Sequence, residues 1–279
     1  MIDSIRAELL RLRRWPVLWS LLAVWLTLNL TFMYLLNYIS YSSDSSSDAT
    51  EGQPREYVLA QMMPAAVPEE FVGGTVLFGG ALMLILGALA TGSGYGWGTW
   101  KTVFTQGPAR VTALLGTVLA LLTVAGVAVV GAFALDLSVA CVIASAESQP
   151  LRLPSVGRIL AGVGSGIAIL TMWTLLGALI GLLARGPSLA VGLGLVWVLV
   201  LENVLRFFGE MLGSAGTVTH YLPGSVAGSL AGELRTLQGE ATPGVLDLLG
   251  WPHAVVALAV YPVFFLAVAV VVVRRRDLV

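Results

Sequence analysis

Six stretches of this chain are long and apolar enough to cross a bilayer, and that restricts what it can become. They run Val17–Ile39, Phe71–Thr91, Val111–Leu135, Ile159–Ala184, Ser188–Phe208 and Ala254–Val273. A spanning helix needs about 20 mostly apolar residues, each rising about 1.5 Å through a hydrocarbon layer about 30 Å thick. Composition agrees, with 57% of the 279 residues hydrophobic and 11% charged; a soluble domain is about half apolar and about a quarter charged. The expected fold is all-α and polytopic, one transmembrane domain over residues 1–279.

Ahead of the first run, residues 1–15 read as an interfacial helix. Ile2, Ile5, Leu9 and Leu12 share one face, with Arg6, Arg13 and Arg14 largely off it. Such a basic amphipathic helix rests among lipid headgroups, although basic residues flanking a first span look similar. Pro16 suits the first turn of the span, where its missing N–H costs little. The run Val17–Ile39 exceeds the ~7–15 residues of a signal-peptide core and reads as a retained span.

Basic residues orient the set. With the N-terminus in the cytosol, Arg6, Arg11, Arg13, Arg14, Lys101, Arg110, Arg185, Arg274, Arg275 and Arg276 lie inside, and Arg55, Arg152, Arg158, Arg206 and Arg235 outside. Ten against five places both termini in the cytosol. Lys101 is the only lysine, and the sole Asn-x-Ser/Thr site, Asn29-Leu-Thr31, falls within a span. Both features suit a bacterial plasma membrane.

Residues 93–110 form a polar and aromatic interruption between the second and third runs. Nothing from Thr99 to Gln106 breaks a helix, and Gly107-Pro108 supplies a stop. On that helix Trp97, Trp100 and Phe104 share a face. Taken alone, the pattern suits either an aromatic belt at the membrane boundary or a small helix docking on a soluble partner. The segment Tyr95–Arg110 resembles the cytoplasmic loop after the second span in permeases of the ATP-binding-cassette type 2 exporter family. Many relatives carry an acidic residue just ahead of the aromatic, where this chain has Gly94. Tyr221–Leu230 is similar to the short re-entrant or surface helices that these permeases place before their last span.

The resemblance implies a coupling helix seated on a separate ATPase subunit, with Trp97, Thr99, Trp100, Lys101, Phe104, Gln106 and Arg110 as contacts. It further implies ATP-Mg on that subunit and none here, a homodimer of permeases in membrane lipid, and a hydrophobic or amphipathic substrate.

No catalytic or metal-binding pattern is expected. A Walker A motif needs Gly before its Lys, and Lys101 follows Trp100. His220, His253 and Cys141 are too few for a dedicated zinc site, and a net charge of −1 gives no reason to expect nucleic acid. Glu202, Asn203 and Arg206 cluster near the outer end of the fifth run. They read either as an interfacial ion pair or as an outer gate lining the path. Asp136 reads as a span terminator, Leu137–Ala146 as an extension or a surface piece, and Trp19, Trp25, Trp173 and Trp197 as packing. Ser40–Glu70 is expected to be mobile, Arg185–Pro187 to close a tight hairpin, residues 209–252 to hold Tyr221–Leu237 and Gly244–Gly250 as short outer pieces, and Pro262 to kink the last span. The alternative to a transporter is a membrane anchor or assembly subunit that moves no substrate. An ion-coupled carrier is disfavoured by few mid-span charges.

Overall fold

The computed structural model describes residues 2–43, 54–96, 109–211, 213–237 and 242–275. Among them every regular element is helical: α1 (Ile2–Arg14), α2 (Pro16–Ser42), α3 (Arg55–Gln61), α4 (Pro64–Tyr95), α5 (Arg110–Ala146), α6 (Val156–Ala184), α7 (Pro187–Gly209), α8 (Pro223–Gly232) and α9 (Trp251–Arg275). Six of them (α2, α4, α5, α6, α7 and α9) are long and apolar enough to span a membrane. The protein is an all-α, multi-pass membrane protein. Each apolar run of the sequence falls within one of these helices.

α4 and α6 form the centre, and small residues let them meet closely. A Cβ on Gly177 would fall on the Leu84 carbonyl, one on Gly87 on the Thr174 carbonyl, and one on Gly181 on the Thr91 hydroxyl. Gly177 and Gly181 are spaced as in the small-xxx-small pattern of membrane helix pairs, where close packing replaces the hydrophobic drive of water. The Thr91 hydroxyl, 3.1 Å from the Gly87 carbonyl on its own helix, also reaches the Ala178 carbonyl across the pair at 2.9 Å. Aromatic rings fill the remaining hollows. Trp173 lies against Gly80 and Trp25 against Gly79, and Phe71 meets Phe133 edge-on at 5.3 Å. Trp19, by contrast, is exposed, with its indole N–H donating to the Arg13 carbonyl at 2.8 Å.

Contacts sort the ends of the bundle. At one end α1 crosses α5 and α4. Leu12 is fully buried, Ser4 packs on Gly116, and Arg11 Nη2 donates to the Ala90 carbonyl at 3.4 Å. The α6–α7 turn is here too, with Arg185 in the left-handed region (φ 55°) and Gly186 against Gly92. At the other end the Tyr38 and Tyr41 hydroxyls donate to Glu147 at 3.0 and 3.1 Å, tying α2 to the end of α5.

Several elements depart from expectation. α4 starts at Pro64 and carries Glu69 and Glu70 into the bundle. α5 is not ended by Asp136: it runs on to Ala146, 37 residues in all, which makes Leu137–Ala146 the extension and not a surface piece. The loop expected to be mobile is folded from residue 55, as α3 and the start of α4; residues 44–53 lie outside the described set. Of the two short outer pieces, only the first holds a helix: α8 is buried along most of its length and packs on α4, α6 and α9. Gly244–Gly250 is irregular and runs beside α8, where the Leu246 amide donates to the Gly228 carbonyl at 3.0 Å.

Candidate functional site

Of the residues expected to meet a partner, Trp97, Thr99, Trp100, Lys101, Phe104 and Gln106 lie outside the described residues. Arg110 is described, half-buried at the first turn of α5. The described flanks of that segment, the end of α4 and the start of α5, stand at the bundle end crossed by α1. Glu8 and Arg11 of α1 form an ion pair of 2.8 Å there. Burial pushes the Glu8 carboxyl above the usual carboxylate range, against the pull of Arg11 and a hydrogen bond with Thr117.

A second assembly lies inside the bundle. Asp136 of α5 is 0% exposed and accepts from Asn29 Nδ2 of α2 at both carboxylate oxygens, at 2.8 and 3.0 Å. The Asn29 amide oxygen has no hydrogen-bond partner and faces Gly74 of α4, whose Cβ, were there one, would fall on it. Tyr34, also of α2, is buried with its hydroxyl unpartnered, within electrostatic reach of Asp136 and Glu70. Glu70 stands one helical turn before Gly74 and near Arg235. Beside it Glu69 is engaged through one oxygen: its Oε2 accepts from Arg158 Nη2 at 3.2 Å and from the Thr236 amide and hydroxyl at 2.6 and 2.8 Å. Arg158 also donates to Thr236 Oγ1 and the Leu234 carbonyl.

Charges inside a membrane bundle are costly and face interiors or cavities. Asp136 and Glu70 were missed as a cluster because a charge beside an apolar run looks like its end. The available signal was Asn29 at the middle of a span, together with the apolar stretch that follows Asp136.

Glu202 turns away from Asn203 and Arg206, which pair with each other, although Arg206 stays within electrostatic reach of it. Glu202 turns inward, 2% exposed, and its Oε1 accepts from the Gly224 amide at 2.6 Å, in the first turn of α8. It thereby satisfies a free N–H and meets the positive end of the helix dipole. Arg206 Nη2 instead donates to Asn203 Oδ1 at 2.6 Å, on the exposed side. Asn203 and Arg206 line a cleft of about 390 Å³ with Thr217, Thr219 and His220. The Tyr261 hydroxyl donates to the Tyr221 carbonyl, fastening α9 beside this corner.

Each polar centre has a widened helical turn beside it. π turns at Thr31–Leu35 and Thr75–Gly79 follow Asn29 and Gly74, and a third at Trp197–Leu201 precedes Glu202. Such turns occur disproportionately at functional positions. Among the described residues no His, Cys, Asp or Glu group is arranged to hold a metal ion. No protein-family model matches this chain, and no curated protein matches it either.

Proposed function

We propose that the chain is the permease subunit of an ATP-driven exporter of the type 2 ATP-binding-cassette kind, working with a separate ATPase subunit that holds ATP-Mg. The observation that carries this reading is the position of the described flanks of the 93–110 stretch, the end of α4 and the start of α5. The stretch that resembles a coupling helix joins α4 to α5 where the amphipathic α1 crosses both. A push received there would reach the central α4–α6 pair through α4. Six spans and the buried α8 before the last of them also accord with the resemblance.

In this reading both termini are cytosolic, the membrane is a bacterial plasma membrane, and two copies enclose the path for an amphipathic substrate. Nucleotide-driven closure of the ATPase pair biases the permease between two states, as any ligand with unequal affinity for them must.

The test is a detergent pull-down of the tagged chain from its native membrane, with mass spectrometry and an ATPase assay. The expected result is a stoichiometric soluble ATPase, with Trp100→Ala separating ATP hydrolysis from export. A chain recovered with no ATPase would replace this reading with that of a membrane anchor.

A further inference from the structure

Arg206 is held in place by its own helix. Within the π turn at Trp197–Leu201 the Leu199 carbonyl accepts from Asn203 Nδ2 at 3.0 Å. That bond fixes the amide so that its oxygen, Oδ1, takes the Arg206 Nη2 donor at 2.6 Å. A guanidinium carries five donors in a rigid plane. One bond at Nη2 therefore orients it and leaves the N–H groups on Nε and Nη1 for a ligand.

The guanidinium lines the cleft of about 390 Å³ between the end of α7, the stretch Gly213–Tyr221 and the irregular segment beside α8. His220 brings its imidazole to the same cleft. Among the described residues no carboxylate lines it. Glu202, though within electrostatic reach of Arg206, is turned inward to the Gly224 amide, and Asp247 is exposed between Leu246 and Leu248 without lining the cleft. Phe207, Leu246 and Leu248 make the rest of the wall apolar. Phe207 is exposed and meets Phe208, also exposed, edge-on at 5.7 Å. The cleft thus offers an oriented cation beside apolar surface.

The depth of Arg206 identifies the source of a matching anion. α7 begins with Pro187 at the α1 end of the bundle, and at about 1.5 Å per residue Arg206 lies about 29 Å further along. A hydrocarbon layer is about 30 Å thick. The guanidinium therefore emerges at the level of lipid headgroups, with the two exposed phenylalanine rings beside the acyl chains.

We propose that this cleft binds the headgroup of an anionic phospholipid, with its phosphate on Arg206 and His220 and its chains over Phe207 and Phe208. A guanidinium meets phosphate oxygens through paired, charge-assisted hydrogen bonds. A free phosphate carries the same anion but nothing for the apolar wall. Asn203 is the positioning residue of the site. Neither an ATPase nor a transported substrate is needed for it, so the site stands whether or not the exporter reading does.

The purified full chain, stripped of lipid in detergent, is titrated with radiolabelled dioleoylphosphatidylglycerol in mixed micelles. The expected result is saturable binding, weakened about tenfold or more by Arg206→Gln, which removes a charged hydrogen-bond donor, and several-fold by Asn203→Ala. Arg152→Gln, at an exposed arginine at the same end of the bundle, leaves it unchanged. Unlabelled phosphatidylglycerol in excess competes, phosphatidylcholine with the same chains and no net charge competes more weakly, and inorganic phosphate and dioleoylglycerol do not compete. Inorganic phosphate competing as well as the lipid would make the ligand a free anion, and dioleoylglycerol doing so would reduce it to chain contact; either overturns the proposal. Equal competition by phosphatidylcholine overturns it too, as do binding unaltered by Arg206→Gln, an equal loss in Arg152→Gln, or no saturable binding at all. Should Arg206→Gln fail to fold, the competition arms, which use the wild-type chain, still decide.

Discussion

Asn29 and Asp136 show how a single polar pair behaves in a dry interior. The net value of a satisfied hydrogen bond is modest, but one partner left alone costs the full desolvation of the other. Asn29→Leu should therefore destabilise the protein by about 1–3 kcal/mol, because Asp136 loses its amide donor. The double variant Asn29→Leu, Asp136→Leu should recover most of that loss, since both polar groups leave together. Thermal unfolding of the purified chain measures both, and strictly additive losses would show that the two residues do not act as a pair. Glu202 obeys the same rule through a different donor, the Gly224 amide, which is why an ion pair with Arg206 is not needed to hold it in place.

At the scale of elements, the α4–α6 crossing carries the fold. Gly177→Leu would drive a side chain into the Leu84 carbonyl. Backbone cannot yield there as a flexible side chain can, so the variant should lose assembly, seen as aggregation in size-exclusion chromatography. Gly131→Ala, on an open face of α5 with nothing within 4 Å, should elute as the wild type. Much of this architecture is legible in the sequence, because apolar runs and small residues at helical spacing carry it. What was hidden is the start of α4 and the place of Asp136 inside α5. Glu69 and Glu70 closed off the apparent second run, and Asp136 the third, because hydropathy counts a charge without its partner. Those partners, Arg158 and Asn29, stand 89 and 107 positions away. Pairing at such separation leaves no local pattern, so the polar cluster becomes visible only after folding. The expected coupling contacts from Trp97 to Gln106, in turn, rest on resemblance alone.

For the whole molecule, the exposed faces divide its surroundings. α7 and α9 are mostly open along their outer sides, whereas α4 and α6 are enclosed. Under the exporter reading the open sides meet lipid or a second copy, and the end with α1 and the C-terminus faces the cytosol. A green fluorescent protein fused after Val279 should therefore fluoresce in bacterial cells, and alkaline phosphatase fused after Pro150 should be active. The reverse pattern would invert the topology and exclude a cytosolic ATPase from the 93–110 end.

The length of α5 has a mechanical consequence. At about 1.5 Å per residue its 37 residues extend about 55 Å, well beyond a hydrocarbon layer of about 30 Å. Arg110 and Asp136 are about 39 Å apart along it. A rigid rod of that length acts as a lever arm: tilting it by about 5° about its Arg110 end sweeps Asp136 through about 3 Å. That stroke exceeds the Asn29–Asp136 separation of 2.8 Å, so a small rotation at the Arg110 end is enough to unlatch a pair held deep inside the bundle.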